Sequence, residues 1–109
     1  MANIHDLTDE QIDAVVAGRE TDVLINRTVF GKHDDHYPSM PNYSTDISDA
    51  WKVVEKLRET GWVGVTSEST NGGGWICEFQ NGLSAIDFCY AETASLAICR
   101  AGLKAIKNG

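Results

Sequence analysis

The sequence predicts an α+β fold, a three-layer α-β-α sandwich in which helices pack on an antiparallel meander sheet of three to four strands. Two segments, 41–57 and 91–106, each have the pattern of a capped amphipathic helix. The residues between them alternate strand formers with glycine-rich turns, which is typical of a small antiparallel sheet. The 109 residues suffice for one domain, with 1–18 as an N-terminal helical extension and 19–109 as the core.

Two helices are predicted before the proline-containing loop at 31–43. Residues 8–11 (TDEQ) have the form of a capping box at the start of a helix. The apolar residues that follow recur at helical spacing: Ile12, Val15 and Val16. Gly18 weakens or ends that turn, and a second helix is predicted over 19–30. Residues 31–43 hold both prolines of the chain and therefore predict an irregular surface loop.

The central helix is the clearest element of the pattern. Residues 44–46 (STD) open it, because their side-chain oxygens accept hydrogen bonds from the first-turn amides. Its predicted apolar face consists of residues at helical spacing: Ile47, Ala50, Trp51, Val54 and Leu57. Gly61 is expected to end the helix in the left-handed conformation.

Three strands and a last helix follow. The strands are predicted over 62–66, 75–79 and 83–90, joined by a hairpin tip at 71–74 (NGGG) and a turn at 81–82 (NG). Thr93 caps the last helix, and its buried face is predicted from spacing: Leu96, Cys99, Leu103 and Ile106. The alanines of this helix and Gly102 are expected to let it approach another surface closely.

The composition and net charge of the chain limit the functions that can be expected of it. The net charge is -7 and the isoelectric point about 4.7, with scattered cations, so a groove that follows a nucleic-acid duplex is not expected. The acidity serves solubility, or it mimics a nucleic acid to occupy a basic host protein. No segment has the length of a membrane helix and no signal peptide precedes the chain, so a cytoplasmic protein in the bacterial host is expected.

The three cysteines are expected to be reduced and buried: Cys77, Cys89 and Cys99. Their number is odd, they form no CxxC motif, and the chain has no export signal. We expect no cofactor. A domain this small leaves much of its surface exposed, so a homo-oligomer is expected.

Three segments carry a resemblance to a known family: AGRETDVLINRTVFG at 17–31, PNYSTDISDAWKVVEKL at 41–57, and AETASLAICRAGLKAI at 91–106. In these segments the chain resembles the phage ABA sandwich domain family, small proteins of bacteriophages and prophages. The resemblance implies a three-layer α-β-α sandwich. It implies no activity, because the function of the family is largely unassigned. The proline-rich loop and the NGGG tip depart from the family pattern.

A second likeness suggests a ligand. The chain is similar in size and layout to phage "sponge" proteins, which sequester the cyclic nucleotide signals of bacterial immunity and use basic residues on their last helix. Arg100 and Lys104 stand four residues apart here, so they share one helix face and could hold phosphate. The alternative interpretation is a solvated face whose positive charges suit the negative helix end.

Aromatic residues are the candidates for stacking a nucleotide base. Trp75 follows three glycines that would let a ligand approach the backbone, and Tyr43 lies in the proline-rich loop. Tyr90 is a third candidate. Core packing or an interface is the alternative for all three, and it is the favoured interpretation for Tyr90. The predicted ligand-binding residues are therefore Arg100, Lys104, Trp75 and Tyr43.

No catalytic or metal site is predicted. Residues 33–36 (HDDH) are adjacent loop positions that rarely converge on one ion. The carboxylates near the sheet would form an acid–base pair only in environments that separate their pKa values: Glu78, Asp87 and Glu92. A cysteine–histidine pair of Cys77 with His5 or His33 has suitable residue types, but nothing in the sequence places them together.

These observations favour a phage accessory protein that counters host defence by sequestering a small cyclic nucleotide without catalysis. The alternative is an acidic inhibitor that binds a host defence protein directly, as an anti-CRISPR protein or a nucleic-acid mimic does. That alternative predicts an acidic surface cluster: Asp6, Asp9, Glu10, Asp13, Asp34 and Asp35. A third option is an enzyme that degrades such a signal.

Overall fold

The computed structural model of this chain describes residues 4–32, 40–69, 73–82, 84–85 and 88–108. A 3-10 turn, Ile4–Asp6, precedes the first helix. The helices are α1 (Asp9–Asp13), α2 (Arg19–Thr28), α3 (Ile47–Arg58) and α4 (Ala94–Asn108). The strands are β1 (Val63–Glu68), β2 (Trp75–Asn81), β3 (Ser84–Ala85) and β4 (Cys89–Ala91).

The sheet is antiparallel and β2 is its central strand. β1 pairs with one edge of β2, with Gly64 opposite Phe79. β3 and β4 pair with the other edge, and Cys77 lies opposite Cys89. The predicted fold class is confirmed: the protein is α+β, with helices packed on an antiparallel sheet.

Contacts among the described residues show how the helices pack on the sheet. A Cβ atom on Gly64 would meet both Phe79 and Val54 of α3, so α3 covers the sheet face that carries Phe79. α4 contacts β1, β2 and β4, and its Lys104 interacts with Cys89 on that same face. α1 and α2 pack against α4 rather than against the opposite face of the sheet.

α4 is the central element of the core. Nearly every position from Ser95 to Ala105 is buried, because the sheet, α3 and the two N-terminal helices surround it. Gly102 makes the crossing with α3 possible, since a Cβ atom there would lie 3.0 Å from Val53. The predicted close approach of α4 is confirmed, and so is the burial of Leu96, Cys99 and Leu103.

The buried face of α3 was predicted only in part. Ala50, Val54 and Leu57 are buried as expected, but Val53 completes the stripe in place of Trp51. Trp51 and Ile47 are about half exposed, at 48% and 51%. The reason is the position of α4, which contacts the helix on the side of Val53.

Other boundaries also differ from the sequence prediction. α1 ends at Asp13, so Val15 and Val16 lie in the linker to α2 rather than on a helix. The predicted third strand, 83–90, is divided into β3 and β4, and residues 86–87 between them lie outside the described residues. The predicted extension, 1–18, contributes Ile4 and Ile12 to the same core as the rest of the chain.

Candidate functional site

Arg100 lies on the partly exposed side of α4 and joins two distant parts of the chain. Its Nε and Nη2 atoms donate to the carbonyl oxygen of Val15, at 3.0 and 2.6 Å, and its Nη1 donates to the carbonyl oxygen of Tyr90 at 2.7 Å. Both acceptors are neutral. Within the described residues no carboxylate pairs with this guanidinium, and the three hydrogen bonds leave two of its five N–H groups without a described acceptor.

Two aromatic residues lie at the same end of the sheet. Trp75 begins β2 and pairs in register with Ala91, the residue after the Tyr90 carbonyl that Arg100 binds. Trp75 is half-buried and the Tyr90 side chain is about half exposed. The Tyr90 hydroxyl donates to the carbonyl oxygen of Gly73. The backbone register thus places Trp75 close in the sheet to the Tyr90 carbonyl that Arg100 binds. The Trp75 side chain lies on the helix-covered face with Cys77, whereas the Tyr90 side chain lies on the opposite, exposed face.

Gly74 makes this edge compact. A Cβ atom there would lie 2.5 Å from the Tyr90 hydroxyl and 2.9 Å from the Ala91 carbonyl, and φ is +94°. Only glycine fits that combination of backbone conformation and close approach. We call the group of Trp75, Tyr90 and Arg100 the β4 edge.

Lys104 is placed differently from Arg100, one helical turn further on. Its side chain is 7% exposed and forms a 2.8 Å ion pair with Asp13, which is 50% exposed. Burial, the largest single effect, would lower the pKa of Lys104, but the hydrogen bond to Asp13 and the electrostatic interactions with Cys89, Asp13 and Asp9 together outweigh it, so the pKa is raised. In this arrangement the ammonium joins α4 to α1. Its predicted role in ligand binding stays a prediction.

Tyr43 lies in the core, away from the β4 edge. Its side chain is 2% exposed, its ring stacks on Phe30 with centroids 5.1 Å apart, and its hydroxyl donates to Asn26. Burial, followed by the nearby charges of Asp49 and Asp22, raises the pKa of Tyr43 to about 12. Stacking a ligand on this ring would require the Phe30 contact to open.

The other candidates from the sequence do not converge within the described residues. The HDDH segment 33–36 and Asp87 lie outside the described residues. Glu78 is half-buried on β2 and Glu92 is exposed before α4. A search of the described residues finds no group of three His, Cys, Asp or Glu side chains that could hold a metal ion.

The three cysteines are buried thiols, none of them bridged, as predicted. Burial raises the pKa of Cys77 to about 11 and that of Cys89 to about 12, and it also raises the pKa of Cys99. A thiol with so high a pKa is a poor nucleophile at neutral pH, because the thiolate is the reactive form. The Cys77 sulfur accepts a hydrogen bond from the Thr66 hydroxyl at 3.4 Å, and His33, one of the two histidines considered as its partner, lies outside the described residues.

A second surface lies between the N-terminal helices. A cavity of about 970 Å³ opens between α1 and α2. Its apolar lining comes from the 3-10 turn region, the linker and α2: Leu7, Ala14, Val15, Val16, Ala17, Val23 and Leu24. Its polar lining is Gln11, Arg19, Glu20 and Thr21. We call this cavity the α1–α2 groove. Sequence reasoning missed it because Val15 and Val16 were assigned to a helix.

A third exposed region is the sheet face that α3 and α4 leave uncovered. Val63 and Val65 of β1 are 57% and 55% exposed. Phe88 and Tyr90 are also largely exposed. Single exposed apolar residues are ordinary, but several on one sheet face indicate a contact surface.

The fold defines a class: a small α+β domain whose C-terminal helix is the central element of its core. A sequence profile of the phage ABA sandwich domain matches residues 14–103. The chain therefore belongs to the phage ABA sandwich domain family, as the sequence resemblance indicated.

A solved structure supports the same relationship. The chain is similar to a phage protein from Bacillus cereus ATCC 14579, with 26% sequence identity and a TM-score of 0.67. The similarity covers 83% of this chain and 92% of that protein. Among proteins with curated descriptions, none matches the chain. None of the helices in the described residues combines the length and the apolarity that crossing a membrane requires.

Proposed function

We propose that this phage-family protein counters host defence in the bacterial cytoplasm by sequestering a small cyclic nucleotide, which it binds and releases unchanged. The observation that carries the proposal is the β4 edge, where the Arg100 guanidinium, which pairs with no carboxylate of the described residues, binds the backbone carbonyl of Tyr90, next to the Ala91 that pairs with Trp75. A nucleotide presents the two complementary features, a flat base and an anionic phosphate.

The chemistry of this edge suits such a ligand. Stacking of a base on an aromatic ring is worth about 1–3 kcal/mol and tolerates different bases. The remaining N–H donors of Arg100 can form charge-assisted hydrogen bonds with phosphate oxygens. The Val15 and Tyr90 carbonyls hold the guanidinium in place, so little side-chain entropy is lost when phosphate binds.

Isothermal titration calorimetry with cyclic ADP-ribose isomers and cyclic dinucleotides tests the proposal. We expect binding to at least one of them, and a loss of affinity of at least about tenfold in Arg100→Gln, since the charge is removed. Arg58→Gln is the matched control, because Arg58 is an exposed residue at the end of α3. Folded protein that gives no heat with any of these nucleotides would refute it.

Mass spectrometry of the ligand after incubation separates sequestration from degradation. A sponge returns the nucleotide with its mass unchanged, whereas an enzyme yields a hydrolysed or cleaved product. Recovery of a product that the buffer control lacks would replace the sponge proposal with the enzymatic one.

Direct inhibition of a host defence protein is the second candidate, and the acidic surface of α1 favours it. Asp9 and Asp13 are paired with Lys107 and Lys104, both at 2.8 Å, so they contribute less net charge than the sequence indicates. Asp6 and Glu10 are exposed and form no ion pair within the described residues. Affinity capture from host lysate tests this candidate, and one host defence protein retained in stoichiometric yield would favour it over sequestration.

The exposed apolar face of β1 supports the expectation of a homo-oligomer. Val63 and Val65 would be covered if two sheets packed face to face. Light scattering after size exclusion measures the mass directly. A monomeric mass at all concentrations used for the titrations would refute this part of the proposal.

A further inference from the structure

We propose that the α1–α2 groove is a docking site for a basic amphipathic helix of a partner protein. The groove adjoins the β4 edge, because Arg100 binds the carbonyl of the lining residue Val15, but the groove is lined by other side chains than the β4 edge, so the proposal holds whether or not the chain binds a nucleotide. It rests on three properties of the groove, namely an apolar floor, a fixed backbone and an acidic rim.

The apolar floor of the groove surrounds a cavity whose volume is comparable to that of a ligand site. The cavity of about 970 Å³ is at the upper end of the usual range for ligand sites, about 300–1,000 Å³. Val16 is 70% exposed, which is the largest exposed fraction of any large apolar residue in the described part of the chain. Leu7, Val15 and Leu24 pack against the core with one side and line the groove with the other. A row of apolar anchors at helical spacing would cover this floor.

The backbone of the linker is fixed by polar contacts from three elements. Arg100 of α4 binds the Val15 carbonyl, and the Thr21 hydroxyl of α2 binds the Val16 carbonyl at 2.6 Å. Ser44 accepts from the Gly18 amide at 2.9 Å and donates to the buried Asp22 carboxylate at 2.7 Å. Because these contacts already exist, docking does not have to order the linker, and the groove is preorganised.

The charge around the groove selects the kind of partner. Of the six carboxylates in residues 4–24, Asp9 and Asp13 pair with lysines of α4 and Asp22 is buried, which leaves Asp6, Glu10 and Glu20 beside the cation Arg19. Glu20 lines the groove, and Glu10 lies one helical turn before the lining residue Ala14. Neither glutamate forms an ion pair within the described residues. Arg19 also lines the groove and has an interaction partner, so the charges without an ion pair in the described part of the rim are those of the two glutamates.

This rim argues against the other occupants of an apolar groove. A second copy of this chain would bring its own acidic N-terminal helices against the rim, which costs energy by like-charge repulsion. An acyl chain with a carboxylate or phosphate head group would meet the same repulsion. A helix with leucine-type anchors on one face and lysine or arginine beside them satisfies both the floor and the rim.

The test uses three synthetic helical peptides of about 18 residues and measures binding by fluorescence anisotropy. The first has leucine at i, i+3, i+4 and i+7 with lysine elsewhere, the second replaces lysine by glutamate, and the third replaces leucine by serine. We expect the leucine–lysine peptide to bind at least about tenfold more tightly than either other peptide. Equal binding of the leucine–lysine and serine–lysine peptides would show a charge effect alone and overturn the proposal.

Variants locate the binding site. Val16→Glu places a carboxylate in the groove and is expected to weaken the leucine–lysine peptide at least about tenfold. Ile47→Glu is the matched control on α3, with Ile47 at 51% exposure, and should leave the affinity within about twofold. Circular dichroism confirms that both variants are folded. Unchanged affinity in Val16→Glu, or an equal loss in Ile47→Glu, would overturn the assignment to the groove.

Discussion

The ion pair of Lys104 with Asp13 predicts an asymmetry between its two partners. The ammonium side chain is 7% exposed and the carboxylate 50% exposed, at a distance of 2.8 Å. Asp13→Asn leaves the buried Lys104 ammonium without its carboxylate partner. Lys104→Met leaves the Asp13 carboxylate unpaired, but that group is half exposed and can be hydrated by water. We therefore expect Asp13→Asn to be the more destabilising substitution.

The magnitude follows from the exposure of the pair. Breaking a fully buried pair from one side costs about 3–5 kcal/mol. Half of this pair is exposed, which screens the interaction, so we expect about 2 kcal/mol for Asp13→Asn. Lys104→Met should cost less than about 1 kcal/mol, because the methionine retains most of the apolar stem of lysine. For a domain of this size, a 2 kcal/mol loss lowers Tm by about 10 °C.

Urea unfolding at neutral pH, followed by far-ultraviolet circular dichroism, measures these differences. Asp9→Asn is the matched control, since Asp9 also pairs with a lysine at 2.8 Å, but Lys107 is 20% exposed rather than 7%. The control should cost less than about 1 kcal/mol. A loss in Asp13→Asn no larger than that in Lys104→Met would refute the reasoning and would assign the buried ammonium another partner.

The remaining predictions concern pH, the hairpin and the first helix cap. Raising the pH above about 9 should destabilise the fold by about 1.4 kcal/mol per pH unit for each buried thiol, because the folded pKa values, about 11 for Cys77 and about 12 for Cys89, lie above the ordinary 9.0. The stability that the neutral thiols contribute is complete below pH 9 and is lost as the pH rises through the folded pKa values. In urea unfolding, the stability of Cys77→Ala should therefore depend less on pH than that of the unsubstituted protein. An unchanged pH dependence would contradict the prediction. Gly74→Ala should cost about 2–3 kcal/mol of stability through the clash with the Tyr90 hydroxyl. Gly73→Ala should cost less, because a Cβ atom there meets nothing within 4 Å. Equal losses of Tm in the two variants would contradict the close contact at Gly74. Thr8→Ala should cost about 1 kcal/mol by removing the capping box of α1, and a Tm unchanged within about 1 °C would show that the cap contributes nothing.

Local chemistry was predictable from the sequence where neighbouring residues decide it. The Thr8 side chain and Gln11 form the predicted capping box, with both reciprocal hydrogen bonds present. Gly61 lies in the turn after α3 with φ +98°, as predicted. Glycine adopts this left-handed conformation more readily than any other residue. Each of these features depends on residues close together in the chain, so one sequence contains the necessary information.

Features that depend on a distant element were not predictable in the same way. The apolar pattern of α3 allowed either Trp51 or Val53 on the buried face, and only the position of Gly102 on α4 selects Val53. The groove depends on Val15, whose backbone is fixed by Arg100, a residue 85 positions away. No local signal in residues 14–18 indicates such a contact.

The basic pair on α4 shows why spacing is insufficient to define an anion site. Arg100 and Lys104 share one helix face, as their spacing predicts. Lys104 meets a carboxylate in the fold, whereas Arg100 meets only the carbonyl oxygens of Val15 and Tyr90. A carboxylate cancels the charge of its partner, but a carbonyl orients the guanidinium and leaves its charge for an external anion. The nucleotide proposal therefore depends on Arg100, and the titration of Arg100→Gln beside Lys104→Met decides which of the two cations a phosphate recognises.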